Sequence, residues 1–183
     1  EKVEVDKNRL ALKDPNGVLV ELDDMFYFED MYLNSPVSGH FYVLKDAVDE
    51  TRQDGFYDFY NRMVDLETKL VNHAAWSSIS SMIDVQTFAA YYIMVELLFN
   101  VEDLYTSFFF YTDGPGDVLH MGPVWDYDTC AGMFQEDWSG NKVQGYSYSS
   151  PSRLNSNIFF LLGAYPEFRN AAFELWQNRF QEA

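Results

Sequence analysis

The sequence predicts an α+β domain, mostly helical, built on a central buried helix and a β-hairpin. Three observations carry that prediction. "IDVQTFAAYYIMVELLFN" (83–100) is apolar almost all the way round, which marks a helix in the middle of a domain. "TSFFFYT" (106–112) and "VLHMGPVW" (118–125) are strand-like runs joined by "DGPGD" (113–117), a hairpin turn. "FYDFYNRMVDLETKLVN" (56–72) repeats Phe56, Phe59, Tyr60, Met63, Leu66 and Leu70 at helical spacing, so it is an amphipathic helix.

The remaining elements follow in order. "DPNG" (14–17) supplies a turn before "GVLVEL" (17–22), a strand, and "HFYVLK" (40–45) is a second strand after a polar, aromatic link. The serine-rich "WSSISSM" (76–82) reads as a loop or short turn. Asp84 is the N-cap of the buried helix. Within that helix Glu96 and Asn100 are the polar exceptions and share one face. Residues 134–155 are polar and irregular, "SNIFFLLGAY" (156–165) is helical, and Pro166 opens a last helix.

Composition bounds the function. The chain of 183 residues is 48% apolar and 18% aromatic, which suits one packed domain. With 12 basic against 29 acidic side chains, its net charge of −17 repels phosphate backbones and anionic membranes. Nucleic acid is therefore a poor partner, and no apolar run is long enough for membrane insertion. The single cysteine, Cys130, excludes an intrachain disulfide and a thiolate metal cluster. His40, His73 and His120 share no metal-ligand spacing and read as structural.

The chemistry concentrates in the middle. The buried helix ends in Asn100-Val101-Glu102-Asp103, a hairpin follows, and its second strand delivers Asp126 and Asp128. On an extended strand those two carboxylates point the same way, and the hairpin returns them toward the acidic pair at its start. Such a cluster is costly unless a cation or protons neutralise it. Magnesium, held by one or two aspartates plus substrate phosphates, is the commonest answer. A carboxylate after a helix, then a hairpin, then a metal-binding aspartate is also the order found in a protein-kinase C-lobe, although H-R-D and D-F-G are absent.

The stretch from Ile83 to Gly132, ending "GPVWDYDTCAG", closely resembles the CotH kinase family, atypical kinases named after a spore-coat protein. Its pattern runs I-D-x-x-S/T-F, E-L-x-x-N-x-D, S-x-Y-x-Y, a D-G turn and G-P-V-W-D-F-D. "GVLVELDD" and "YPEFRNAAFELW" resemble its flanks more loosely, so the likeness covers about residues 16–180. The resemblance implies a protein-kinase-like C-lobe, ATP with Mg2+ or Mn2+, and phosphoryl transfer to protein Ser/Thr. By position, Asp126 would be the metal-binding, nucleotide-facing aspartate, Asp128 a second acidic group beside it, and Asn100 the asparagine of N-x-D. The catalytic-base position falls on Glu102 or Asp103; the family's aspartate aligns with Glu102, whose extra methylene shifts the carboxylate.

In that family the N-lobe, with the lysine that contacts the phosphates, precedes the L-L-E-x-D segment, and this sequence begins about there. The resemblance therefore implies one domain over 1–183, the C-lobe portion of a CotH-type kinase domain, with little ATP binding of its own. Lys45 is no convincing substitute for the missing lysine. The face left toward the N-lobe, including part of 16–45, is expected to be exposed and apolar and to favour a homodimer. A bacterial extracellular or cell-surface location fits the acidity and the near-absence of cysteine, and so does a cytoplasmic one.

Blander alternatives stand beside these assignments. Asp126 and Asp128 can be turn formers, Asn100 a helix C-cap, and Trp125 and Tyr127 core aromatics. A catalytically impaired binding module keeps the same fold, and paired carboxylates among aromatics also suit a carbohydrate-active protein.

Overall fold

The computed structural model describes residues 4–24, 31–49, 51, 53–98, 106–127 and 158–180. Five strands, β1 (Val18–Leu22), β2 (Tyr32–Asn34), β3 (Phe41–Ala47), β4 (Phe108–Thr112) and β5 (His120–Met121), form one antiparallel sheet in the order β2-β3-β1-β4-β5. Five helices accompany it: α1 (Asp54–Val71), α2 (Trp76–Ser80), α3 (Val85–Leu98), α4 (Ile158–Leu162) and α5 (Pro166–Phe180). Helix exceeds strand among the described residues, as the sequence predicts. The hairpin is nevertheless no separate unit: β4 pairs with β1, so β4 and β5 form one side of a sheet whose centre is β1.

The central place of β1 explains its apolar sequence. Strands lie on both its edges, and all five of its residues are buried. Side chains alternate along it. Val18, Val20 and Leu22 join Phe108 and Phe110 in the main core. Leu19 and Glu21 point to the opposite face with Phe109, Glu21's partner on β4.

Helix α1 packs against β1 and β3 through Phe56, Phe59, Met63, Leu66 and Leu70, the positions its periodicity selects. Phe110 is a hub of that core, its ring centroid 6.2 Å from those of Tyr42, Phe59 and Phe88. The helix starts close against the turn 14–17: a Cβ on Gly55 would come within 2.2 Å of the Asn16 carbonyl oxygen, so this position needs glycine. Helix α3 packs on α5 and β5. Asp84 caps it, accepting from the backbone N–H groups of Gln86 (2.9 Å) and Thr87 (3.3 Å).

Two local expectations need correction. The link before β3 contains a strand, β2, paired with β3 from Tyr32↔Val43 to Asn34↔Phe41. The serine-rich stretch at 76 forms the short helix α2, fixed by buried Ile79. Within the described part of 16–45, β1 and the Tyr42–Val43 pair are buried, while Tyr32 and Val37 are exposed. Among the described residues no helix is long and apolar enough to cross a membrane.

Candidate functional site

An open cleft of about 370 Å³ lies beside the Glu21 end of β1. Its lining is Glu21 and Asp23 from β1 and just beyond, Lys45 from β3, Ser107 and Phe109 at the start of β4, and Trp125 and Asp126 beyond β5. These residues are far apart in sequence. The pairing of β1 with both β3 and β4 brings them to one place.

Lys45 reaches the cleft through a β-bulge. Leu19 pairs with Asp46 and Val20 with Leu44, so Lys45 is the extra residue of β3 at the irregularity. A bulge re-aims the side chain it carries. Lys45 Nζ lies 3.0 Å from Glu21 Oε2, while Glu21 Oε1 accepts the Ser107 N–H at 2.8 Å. Burial pushes the Glu21 carboxyl above its usual range, and the Lys45 ammonium beside it opposes that rise. Asp23 Oδ1 accepts from the Thr106 hydroxyl at 3.0 Å.

The approach of Trp125 and Asp126 to the cleft is set by the backbone beyond β5. Gly122 at φ 118° lets the chain leave β5 in a conformation other residues rarely adopt. The peptide bond before Pro123 is cis. Asp126 then sits in the left-handed region at φ 57°, its residue exposed, with Trp125 half-buried beside it. Among the described residues three non-glycine positions have positive φ: His73, Ser107 and Asp126. Two of those three line this cleft. Unfavourable backbone conformations concentrate at functional sites, where the surrounding structure holds them.

Of the residues the sequence nominates, Asp126 is the one this structure places. Asn100, Glu102, Asp103 and Asp128 lie outside the described residues, as do Cys130 and the irregular segment 134–155. Glu21, Asp23 and Ser107 are additions; Lys45, which the sequence reading finds no convincing substitute for a phosphate-contacting lysine, also lines this cleft. Trp125, half-buried, lines the cleft. Among the described residues there is no group of three or more His, Cys, Asp or Glu side chains arranged to hold a metal ion. Magnesium needs less than that, because it keeps waters and shares its shell with substrate phosphates. An exposed aspartate at a cleft that also carries a lysine suits that incomplete kind of site.

The sequence model of the CotH kinase protein family matches residues 1–183. The chain belongs to the CotH kinase family. No curated protein and no solved structure matches it. The family match covers both walls of the cleft, from the β1–β3 region to the G-P-V-W-D segment of this CotH chain.

Proposed function

We propose that this CotH-family chain binds the phosphates of ATP, together with Mg2+ or Mn2+, in the cleft between Lys45 and Asp126, and serves phosphoryl transfer to a protein serine or threonine. The observation that carries this reading is the convergence on one cleft of a bulge-directed lysine, paired to a buried glutamate, and an aspartate in a left-handed backbone conformation. The roles divide by charge. Lys45 would face phosphate oxygens, and Glu21 would hold its ammonium in place. Asp126, with Asp128, would hold the metal, which when bound supplies charge neutralisation for the phosphates. Trp125 offers a flat apolar wall. In the transfer, the acceptor hydroxyl oxygen bonds to the γ-phosphorus, the bond to the bridging β–γ oxygen breaks, and ADP leaves. Glu102 or Asp103 takes the hydroxyl proton.

The test is calorimetric titration of the chain with ATP and magnesium. Weak binding, at about 100 μM or above, lost in Asp126→Asn and in Lys45→Met while both variants stay folded, is the expected result. Folded variants that bind as well as the wild type would move the nucleotide elsewhere. Phosphate release from ATP onto a serine-rich acceptor, absent in Asp126→Asn, separates a kinase from a binding module.

A further inference from the structure

His120 lies on β5, six residues before Asp126, and its side chain is 17% exposed. Both its ring nitrogens face carboxylates. Nδ1 is 3.1 Å from Asp84 Oδ2, and Nε2 is 3.0 Å from Asp117 Oδ2 and 3.2 Å from Asp117 Oδ1. The ring stacks on Tyr111, its cross-strand partner, at 4.7 Å and 6°.

The two carboxylates belong to different elements. Asp84 caps α3, and Asp117 closes the hairpin turn by accepting the N–H groups of Asp113 (2.9 Å) and Val118 (2.8 Å). A neutral imidazole has one N–H and one lone pair, so one carboxylate then faces a lone pair. The imidazolium donates to both.

β5 is two residues long and pairs with β4 through Phe110↔Met121 and Tyr111↔His120, with Leu119 and Met121 buried. The Asp84 N–H donates to the Leu119 carbonyl and the Leu119 N–H to the Met82 carbonyl, both at 2.8 Å. The Met121 N–H donates to the Thr87 hydroxyl oxygen (3.2 Å) and the Gly122 N–H to the Phe109 carbonyl (2.9 Å). From Gly122 to Tyr127 the chain has no regular structure. Asp126 lines the cleft six residues beyond His120, on the chain that leaves β5.

We propose that His120 is a positioning residue for this cleft: its imidazolium clasps β5 to the start of α3, and its deprotonation loosens residues 118–127 and displaces Asp126. The proposal rests on the nucleotide reading of the cleft for its functional consequence, and on the clasp geometry alone for its structural one. The other groups around the ring leave the control with His120. Burial, then the charges of Asp84 and Asp117, push the Tyr111 phenol up, so it stays neutral. Arg62, paired with Asp58 on α1, reaches the Asp117 carbonyl oxygen at 2.6 Å and not its carboxylate. Burial raises the Asp117 carboxyl, but the Asp113 N–H and the His120 side chain outweigh it and hold the group below its usual range. Asp117 is thus ionised wherever imidazoles change charge, between about pH 5 and 8.

The first measurement is amide exchange of peptides covering 118–127, corrected for the chemical rate, at pH 5.5 and 8.5. The wild type is expected to exchange about tenfold faster at the higher pH, the loss of one charge-assisted bond. His120→Gln is expected to be fast and flat. Asp117→Asn, which keeps the histidine, is expected to show a smaller step and serves if the first variant fails to fold. A flat wild-type profile, or the same step in His120→Gln, overturns the clasp. The second measurement is the ratio of magnesium–ATP affinity, wild type over His120→Gln. It should fall from about tenfold at pH 6 toward unity at pH 8.5. A ratio constant with pH reduces His120 to a structural residue and overturns the positioning role. No ATP binding by any form overturns the reading of the cleft instead, while the exchange profiles still decide the clasp.

Discussion

Glu21 and Glu67 are equally hidden, each 6% exposed, yet the protein treats them in opposite ways. Glu67, on α1, accepts hydrogen bonds from three neutral hydroxyls: Tyr42 at 2.6 Å, Ser38 at 2.7 Å, and Ser35. Those donors tie the β2–β3 connection and β3 to the helix. Burial, then the Glu67 charge, pushes the Tyr42 phenol well above its usual range, so the hydroxyl remains a donor at any ordinary pH. Glu21 instead has a backbone N–H and a cation, and that cation lines an open cleft. A carboxylate satisfied by neutral hydroxyls inside the core holds a fold together. One paired with a lysine at the edge of a cleft is, on the proposed reading, what holds the ammonium in place for phosphate.

That contrast is broken most forcefully at Glu67. Glu67→Ala leaves three hydroxyls without their acceptor and opens a void beneath the β2–β3 connection. Expected destabilisation is about 3 kcal/mol, read from the urea midpoint at unchanged slope. Ligand affinity of the variant that remains folded should be unchanged. A fall in affinity that outlasts correction for unfolded protein would mean that Glu67 also shapes the cleft.

Lys45→Met is the corresponding change on the other side, with a smaller cost in stability and a larger one in binding. Removing the ammonium leaves the Glu21 carboxylate buried without its cation, which should cost about 1–2 kcal/mol at neutral pH for this partly exposed pair. The sign with pH follows from Glu21. Burial already raises its carboxyl in the folded protein, so the folded state holds that proton more tightly than the unfolded chain does. A raised group favours folding below its unfolded value of 4.5, and the benefit is lost as pH rises through the folded value. Without Lys45 the rise is larger. The deficit of Lys45→Met should therefore be small at pH 4 and grow toward pH 7 in urea titrations. Adding Glu21→Gln should flatten that growth while leaving ATP binding lost. Restored binding in the double variant would show that Lys45 serves only to neutralise Glu21.

The difference between the two glutamates also marks how far the sequence could be read. The period of α1, the Asp84 cap, the hairpin turn, the helix opened by Pro166 and the W-D-Y-D element are local signals, each carried by a few neighbouring residues, and they were legible. The sheet was not. That β1 sits between β3 and β4 depends on partners lying at least twenty and more than eighty residues away along the chain. β2 is three residues long with mixed exposure, too short to show alternation. That Lys45 faces the cleft was hidden for the same reason: its direction comes from a bulge, which exists only between two paired strands. Asp126 could be named from its motif, and Glu21 and Ser107 lie in segments that resemble the family's, but nothing local shows that they meet Lys45 and Asp126 in one cleft.

The smallest expected effect is at Asp126, and it has opposite signs for folding and for binding. At φ 57° any side chain pays a steric penalty that glycine does not, although aspartate tolerates the region better than most. Asp126→Gly should therefore leave stability unchanged or raise it by about 0.5–1 kcal/mol, while abolishing magnesium–ATP binding. Asp126→Asn, which keeps a side chain of the same shape, should be neutral in stability and equally defective in binding. The pair of variants separates backbone from charge. If glycine destabilises where asparagine does not, the aspartate side chain is holding the segment 122–127 in place, and the residue belongs with Glu67 as a structural carboxylate. If glycine stabilises and both variants lose the nucleotide, the left-handed backbone is a strain kept for the sake of the carboxylate it presents to the cleft.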